Sequence, residues 1–142
     1  MRVLLVVLIS FSALSVMGQN DSTNRSTRPL PSLGNLYFPE NISEIQEAHR
    51  TELQVIAEHL KTHPNVGLII IGHTDDIGDR KDNAVVSIIR AKNVFDYLVY
   101  KGVDKKQLSY GGQGEDYPVF RDTTDFARQK NRRVALRYFY LE

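Results

Sequence analysis

Asp75 and Arg90 stand fifteen residues apart in the stretch GHTDDIGDRKDNAVVSIIRA, which runs from Gly72 to Ala91. A carboxylate and a guanidinium that face one small cavity suit a ligand carrying both signs of charge, because arginine holds a carboxylate through a two-pronged fork and an acid holds an ammonium. The residues around them fit such a site. Thr74 and Asn83 add neutral hydrogen-bonding groups. Asn83, Ser87 and Arg90 recur at i, i+4, i+7 and form one polar stripe if the segment is helical. Ala84, Ile88, Ala91, Phe95 and Leu98 form the neighbouring apolar stripe, expected to pack on a sheet.

Three elements must position these groups. Leu68 to Ile71 is a continuous apolar run that stops at Gly72. His73-Thr74-Asp75-Asp76 then opens a polar turn with a further glycine at Gly78, and the pattern becomes helical from about Asp82 to Lys101. A buried strand, a polar loop and an amphipathic helix place a binding site at the C-terminal end of the strand. On this reading Arg90 lies about two turns into the helix, roughly 12 Å along its axis at about 1.5 Å per residue, and the loop folds back over the first turns.

The totals narrow the class. The 142 residues suffice for one domain. The chain has no cysteine, which excludes disulfides, thiolate metal sites and lipid attachment through a thiol. Met1 to Gly18 reads as a secretory signal: Arg2 supplies the positive start, Val3 to Val16 is mostly apolar but shorter than the roughly 20 residues that span a bilayer, and cleavage is expected before Gln19. Removal of that segment takes Arg2 and no acid from the 18 basic and 17 acidic residues, leaving a net charge of zero. A neutral, exported chain is not expected to bind nucleic acid, despite the run Arg128, Lys130, Arg132, Arg133. The compartment expected is periplasmic or extracellular.

Residues 19–35 are rich in Ser, Thr, Asn and Pro and read as a flexible tether. From 36 to 142 the pattern is one domain. Leu36-Tyr37-Phe38 is a short strand. Ser43 with Gln46 reads as a capping box for a helix whose buried face is Ile45, Ala48, Leu53, Ile56, Ala57 and Leu60, stopped by Pro64. Val66 to Ile71 is a central strand, either covered on both faces or paired within a mixed sheet. Leu108 to Gly111 is a third strand. Thr123 or Thr124 caps a short helix through Lys130, and a last strand runs from Asn131 to Tyr140 with alternating character. This alternation of strands and helices implies an α/β layer sandwich. Arg132 and Arg133 fall on opposite faces of the last strand, so only one of them faces the site and the other is expected to be a solvated charge. His73, Asp75 and Asp76 also suggest a metal-dependent hydrolase, but no second cluster completes such a site, and His49, His59 and His63 lie in or just after the first helix.

Taken in order, Gly72-His73-Thr74-Asp75, Gly78, Asn83, Ser87, Arg90-Ala91, Gly111, Gly114-Glu115, Pro118, Thr124, Arg128 and Asn131-Arg132-Arg133-Val134 resemble the OmpA-like peptidoglycan-binding domain over about Leu36 to Tyr140. The same module occurs in outer membrane protein A, the peptidoglycan-associated lipoprotein and MotB. The resemblance implies an α+β two-layer sandwich with a mixed four-stranded sheet in β-α-β-α-β-α-β order. It implies non-enzymatic, non-covalent binding of the diaminopimelate residue of the peptidoglycan stem peptide, with no cofactor or metal. Asp75 then takes the ligand's ammonium and Arg90 its carboxylate, while Asn83, Thr74, Asn41 and Arg132 match positions lining that site. The partners implied are peptidoglycan and an outer-membrane protein, and the place is the periplasm beside the outer membrane. The chain departs from the pattern at Asp82, Val86, Phe126, Ala127 and Gln129, supporting positions where loop geometry is altered more than ligand chemistry. Two other readings use the same residues: a module of this fold that binds a protein instead of the wall, and the hydrolase.

Overall fold

The computed structural model describes residues 30–142. The expected leader and residues 19–29 of the expected tether lie outside them. The strands are β1 (Leu36–Tyr37), β2 (Val66–Gly72), β3 (Leu108–Gly112) and β4 (Arg133–Tyr140), and the helices are α1 (Glu47–Thr62), α2 (Arg80–Tyr100) and α3 (Asp125–Asn131), with a single 3-10 turn at Lys105–Gln107. They form one mixed sheet in the order β1-β4-β2-β3. β3 runs parallel to β2, whereas β4 is antiparallel to both β2 and β1. The mixed four-stranded α+β architecture is the one expected.

β2 is central because its backbone is bonded on both sides, from Val66↔Tyr140 to Gly72↔Val134 on one and from Leu68↔Leu108 to Gly72↔Gly112 on the other. Its pleat separates two environments. Leu68 and Ile70 are fully buried with Leu53, Ile56 and Leu60 of α1 and Val94 and Leu98 of α2, while Ile69 and Ile71 on the other face stay half-buried. Of the two arrangements allowed for this strand, it is pairing within a mixed sheet that occurs. Leu30 and Leu33 pack against the core edge, and the Gly34 N–H donates to Glu52 Oε1 at 2.9 Å.

Two helix expectations are corrected. α1 starts at Glu47 with Gln46, not Ser43, as N-cap, and the Gln46 N–H donates to His49 Nδ1 at 3.3 Å. Its buried face includes His49 and His59, while Ala48 is exposed. His49 is accommodated because its Nε2 lies 2.8 Å from the Tyr37 carbonyl.

In α2, Ala84 and Ile88 are exposed, and the face on the sheet is Asn83, Ser87, Arg90, Ala91, Val94 and Leu98. Glycine explains this. A Cβ on Gly72 would overlap the Ser87 carbonyl, and one on Gly112 would overlap the Ser87 hydroxyl. The sheet is bare at both positions, so the helix backbone descends onto it and a serine fits where a larger apolar residue would not. Ser87 is therefore a packing residue, with Oγ donating to the Ala84 carbonyl at 2.7 Å and accepting from Gly114 N–H at 2.9 Å.

Candidate functional site

The end of β2 is fixed from both sides before any side chain acts. His73 N–H donates to the Arg133 carbonyl at 2.8 Å, and Thr74 N–H donates to the Gly114 carbonyl at 2.9 Å. Asp75 Oδ1 then accepts from Ile77 N–H at 3.1 Å, which closes an aspartate turn. Gly78 takes a φ of +97°, and Asp79 caps α2 by accepting from Lys81 N–H at 2.8 Å. Asn83, one turn into the helix, donates from Nδ2 to Glu115 Oε2 at 2.6 Å and weakly to the Asp75 carbonyl at 3.4 Å.

Arg90 is 2% exposed. Its Nε donates to the Ile42 carbonyl at 3.0 Å, Nη1 to the His73 carbonyl at 3.2 Å and Nη2 to the Pro39 carbonyl at 3.2 Å. Its guanidinium carbon lies 5.3 Å from the centre of the Phe38 ring. Burial pulls its pKa down to about 10, with Asp75 acting in the opposite direction and Arg132 adding to the fall, so it remains a cation at neutral pH. The same guanidinium thus joins the loop between β1 and α1 to the end of β2. Asn93 reinforces the loop by donating to the Ser43 carbonyl at 2.7 Å.

Arg132, at the end of α3, donates from Nη1 to Asp75 Oδ2 at 2.8 Å and from Nε to the Phe38 carbonyl at 3.1 Å. The side chains of this ion pair are only 15% and 7% exposed. Arg133 turns to the other side of the sheet. It is no solvated charge: it is buried, and its guanidinium donates to the Tyr117 carbonyl at 3.2 Å and the Asn131 carbonyl at 3.5 Å. The loop before α3 covers it, which strand alternation does not reveal. Burial lowers its pKa.

Asn41, Thr74, Asp75, Asn83, Arg90 and Arg132 line one cavity of about 190 Å³. Asn41 holds a left-handed backbone, φ +57°, a conformation asparagine tolerates better than most side chains. The Thr74 hydroxyl is buried without a hydrogen-bond partner. Glu40, Ser43, Ile77 and Val86 also line the cavity. Val86 had a sequence signal, since it follows Asn83 by three and precedes Arg90 by four. Glu40, Ser43 and Ile77 are marked only by adjacency to Asn41 and Asp75. On the rim, Arg128 Nε donates to Asp76 Oδ1 at 2.8 Å, which lowers the Asp76 pKa. Arg80 pairs with Asp116. The cavity can hold a small polar group between the Asp75 carboxylate and two guanidinium ions, with Thr74 on its wall.

Residues 37–132 match the OmpA family. The chain belongs to the OmpA family. The outer membrane protein Omp38 of Acinetobacter baumannii is 38% identical to it over 100 residues, 70% of this chain, but the chain spans only 28% of Omp38. A peptidoglycan-associated lipoprotein of Buchnera aphidicola is 30% identical over 118 residues, which are 83% of this chain and 68% of the lipoprotein. The crystal structure of the peptidoglycan-associated lipoprotein from Burkholderia pseudomallei superposes with a TM-score of 0.73 at 30% identity, covering 74% of this chain and 89% of that one. The OmpA-family fold is thus seen in the packing as well as in the sequence.

Proposed function

We propose that this OmpA-family domain binds peptidoglycan without cutting it, through the diaminopimelate of the stem peptide, and so anchors the outer membrane or a protein attached to it to the cell wall. The observation that carries the reading is the cavity in which the Asp75 carboxylate and the Arg90 guanidinium meet beside an unpartnered Thr74 hydroxyl. Diaminopimelate ends in an ammonium and a carboxylate on one carbon, the pair of charges such a cavity complements. Asp75 keeps lone pairs beyond those used by Ile77 and Arg132, and Arg90 keeps N–H groups beyond the three given to carbonyls. The names of the Buchnera and Burkholderia relatives, both peptidoglycan-associated lipoproteins, support the wall as partner, and the periplasm is the compartment this reading assigns.

A charge-assisted hydrogen bond is worth about 1.5–3 kcal/mol net, or roughly 10- to 150-fold in affinity. A lysine-type stem peptide lacks the distal carboxylate. Its affinity is expected to fall by at least that factor in calorimetric titration against the diaminopimelate form. The protein is expected to co-sediment with diaminopimelate-type wall, and Asp75→Ala or Arg90→Ala to leave it in the supernatant while circular dichroism confirms folding. Folded variants that sediment like the parent would refute the site. A folded parent that never sediments would favour the protein-binding module, and soluble fragments released from the wall would favour a hydrolase.

A further inference from the structure

On the face of the sheet turned away from α1 and α2, the register stacks three rungs between the two central strands. Ile69 pairs with Arg137 and Ile71 with Ala135, and beyond them His73 N–H meets the Arg133 carbonyl at 2.8 Å. Paired residues share a face, so this side carries an apolar floor with a basic group at each end. Arg133 and Arg137 lie four residues apart on one strand, about 13 Å at ~3.3 Å per residue. A groove of about 550 Å³ runs over this floor, within the range of small-molecule sites.

The chemistry at the inner end is unbalanced. Arg133 and His73 are 7% and 4% exposed. Arg133 meets only the two carbonyls, so N–H groups are left over, and His73 Nδ1 is buried with no partner. Among the described residues no carboxylate lies within ion-pair distance of Arg133 or Arg137. A buried cation without an anion, beside an orphaned ring nitrogen, marks a place where an acidic group would gain two partners. The backbone under the floor offers nothing to a peptide, because β2 and β4 are bonded to each other along its length. What fits is a tail that needs no hydrogen bonds.

We propose that this groove is a second ligand site, for a single-chain anionic amphiphile, with its acid head at Arg133 and His73 and its alkyl tail along Ile71, Ala135 and Ile69. The site is separate from the wall cavity and does not depend on the reading given to that cavity.

Dodecanoate, added to the full chain below its micelle-forming concentration and followed by NMR, tests this. Saturable binding is expected, with the largest shifts at the Ile69, Ile71 and Ala135 methyls. Dodecanol and dodecylamine should bind at least tenfold more weakly, and acetate should not move these signals. Arg133→Met should weaken dodecanoate at least tenfold. If that variant does not fold, Ala135→Phe serves instead: it fills the floor and should abolish binding while leaving sedimentation with wall unchanged. Equal binding of the alcohol or the amine would overturn the proposal, as would shifts confined to other surfaces. So would recruitment to phosphatidylglycerol vesicles with no binding of the monomer, which would make the face a membrane contact.

Discussion

Arg90 and Arg133 are both buried, yet they stand on opposite sides of the sheet in opposite circumstances. On the helix side Arg90 shares a cavity with Asp75, and Asp75 is itself paired with Arg132 at 2.8 Å. There the cations have an anion, and three ordered carbonyls fix where Arg90 points. On the far side Arg133 has only two bonds to carbonyls, one of them at 3.5 Å, and a histidine beside it whose Nδ1 has no partner. The contrast separates two uses of a buried arginine. One organises the backbone around it, and the other is held ready by a backbone organised elsewhere.

The largest effect should come from destroying the seam that holds the first region together. Gly72→Val places a Cβ on the Ser87 carbonyl, which neither backbone can vacate cheaply. We expect at least about 3 kcal/mol of lost stability in denaturant unfolding. Next is the direct comparison. Arg90→Met should cost about 3 kcal/mol, because three carbonyls lose a charged donor and Asp75 loses a nearby cation. Arg133→Met should cost about 1 kcal/mol or less, since removing an uncompensated buried charge offsets the weak bonds it made. Equal losses in urea denaturation would erase the distinction.

The smallest effect is a slope with pH. Burial, with Arg133 adding to it, lowers the His73 pKa to about 4 from an ordinary 6.5. The unfolded chain therefore binds the His73 proton first as pH falls. Stability contributed by the neutral imidazole is intact above pH 6.5 and is lost downward to about pH 4, at up to about 1.4 kcal/mol per pH unit. His73→Gln should flatten that part of the stability profile, and a slope unchanged by the substitution would place the proton elsewhere.

The sequence disclosed the fold where periodicity and packing agree. The apolar run of β2, the alternation of β4 and the helical spacing after Asp79 all point to the same arrangement. It misled where packing depends on a side chain that is missing. The apolar stripe Ala84 and Ile88 looked like the buried face of α2, but Gly72 and Gly112 let the backbone at Ser87 take that place. Polarity also concealed His49 and His59, because burial of an imidazole rests on carbonyl partners or ring stacking, as in the His59–His63 pair with centroids 4.0 Å apart. In the candidate site, Asp75 and Arg90 could be found from charge and spacing. The Asp75–Arg132 pair, the left-handed Asn41 and the carbonyls around Arg90 could not, since all three are set by loops that meet only in the folded chain.

The three carbonyls on Arg90 also have a mechanical meaning. A pull on a molecule gripped by this guanidinium would not be carried by one flexible side chain. It would divide among His73 at the exit of β2, the segment from Pro39 to Ile42 and a helix of 21 residues. If the domain anchors the envelope to the wall as proposed, a load shared in parallel serves it better than a tighter grip at one point.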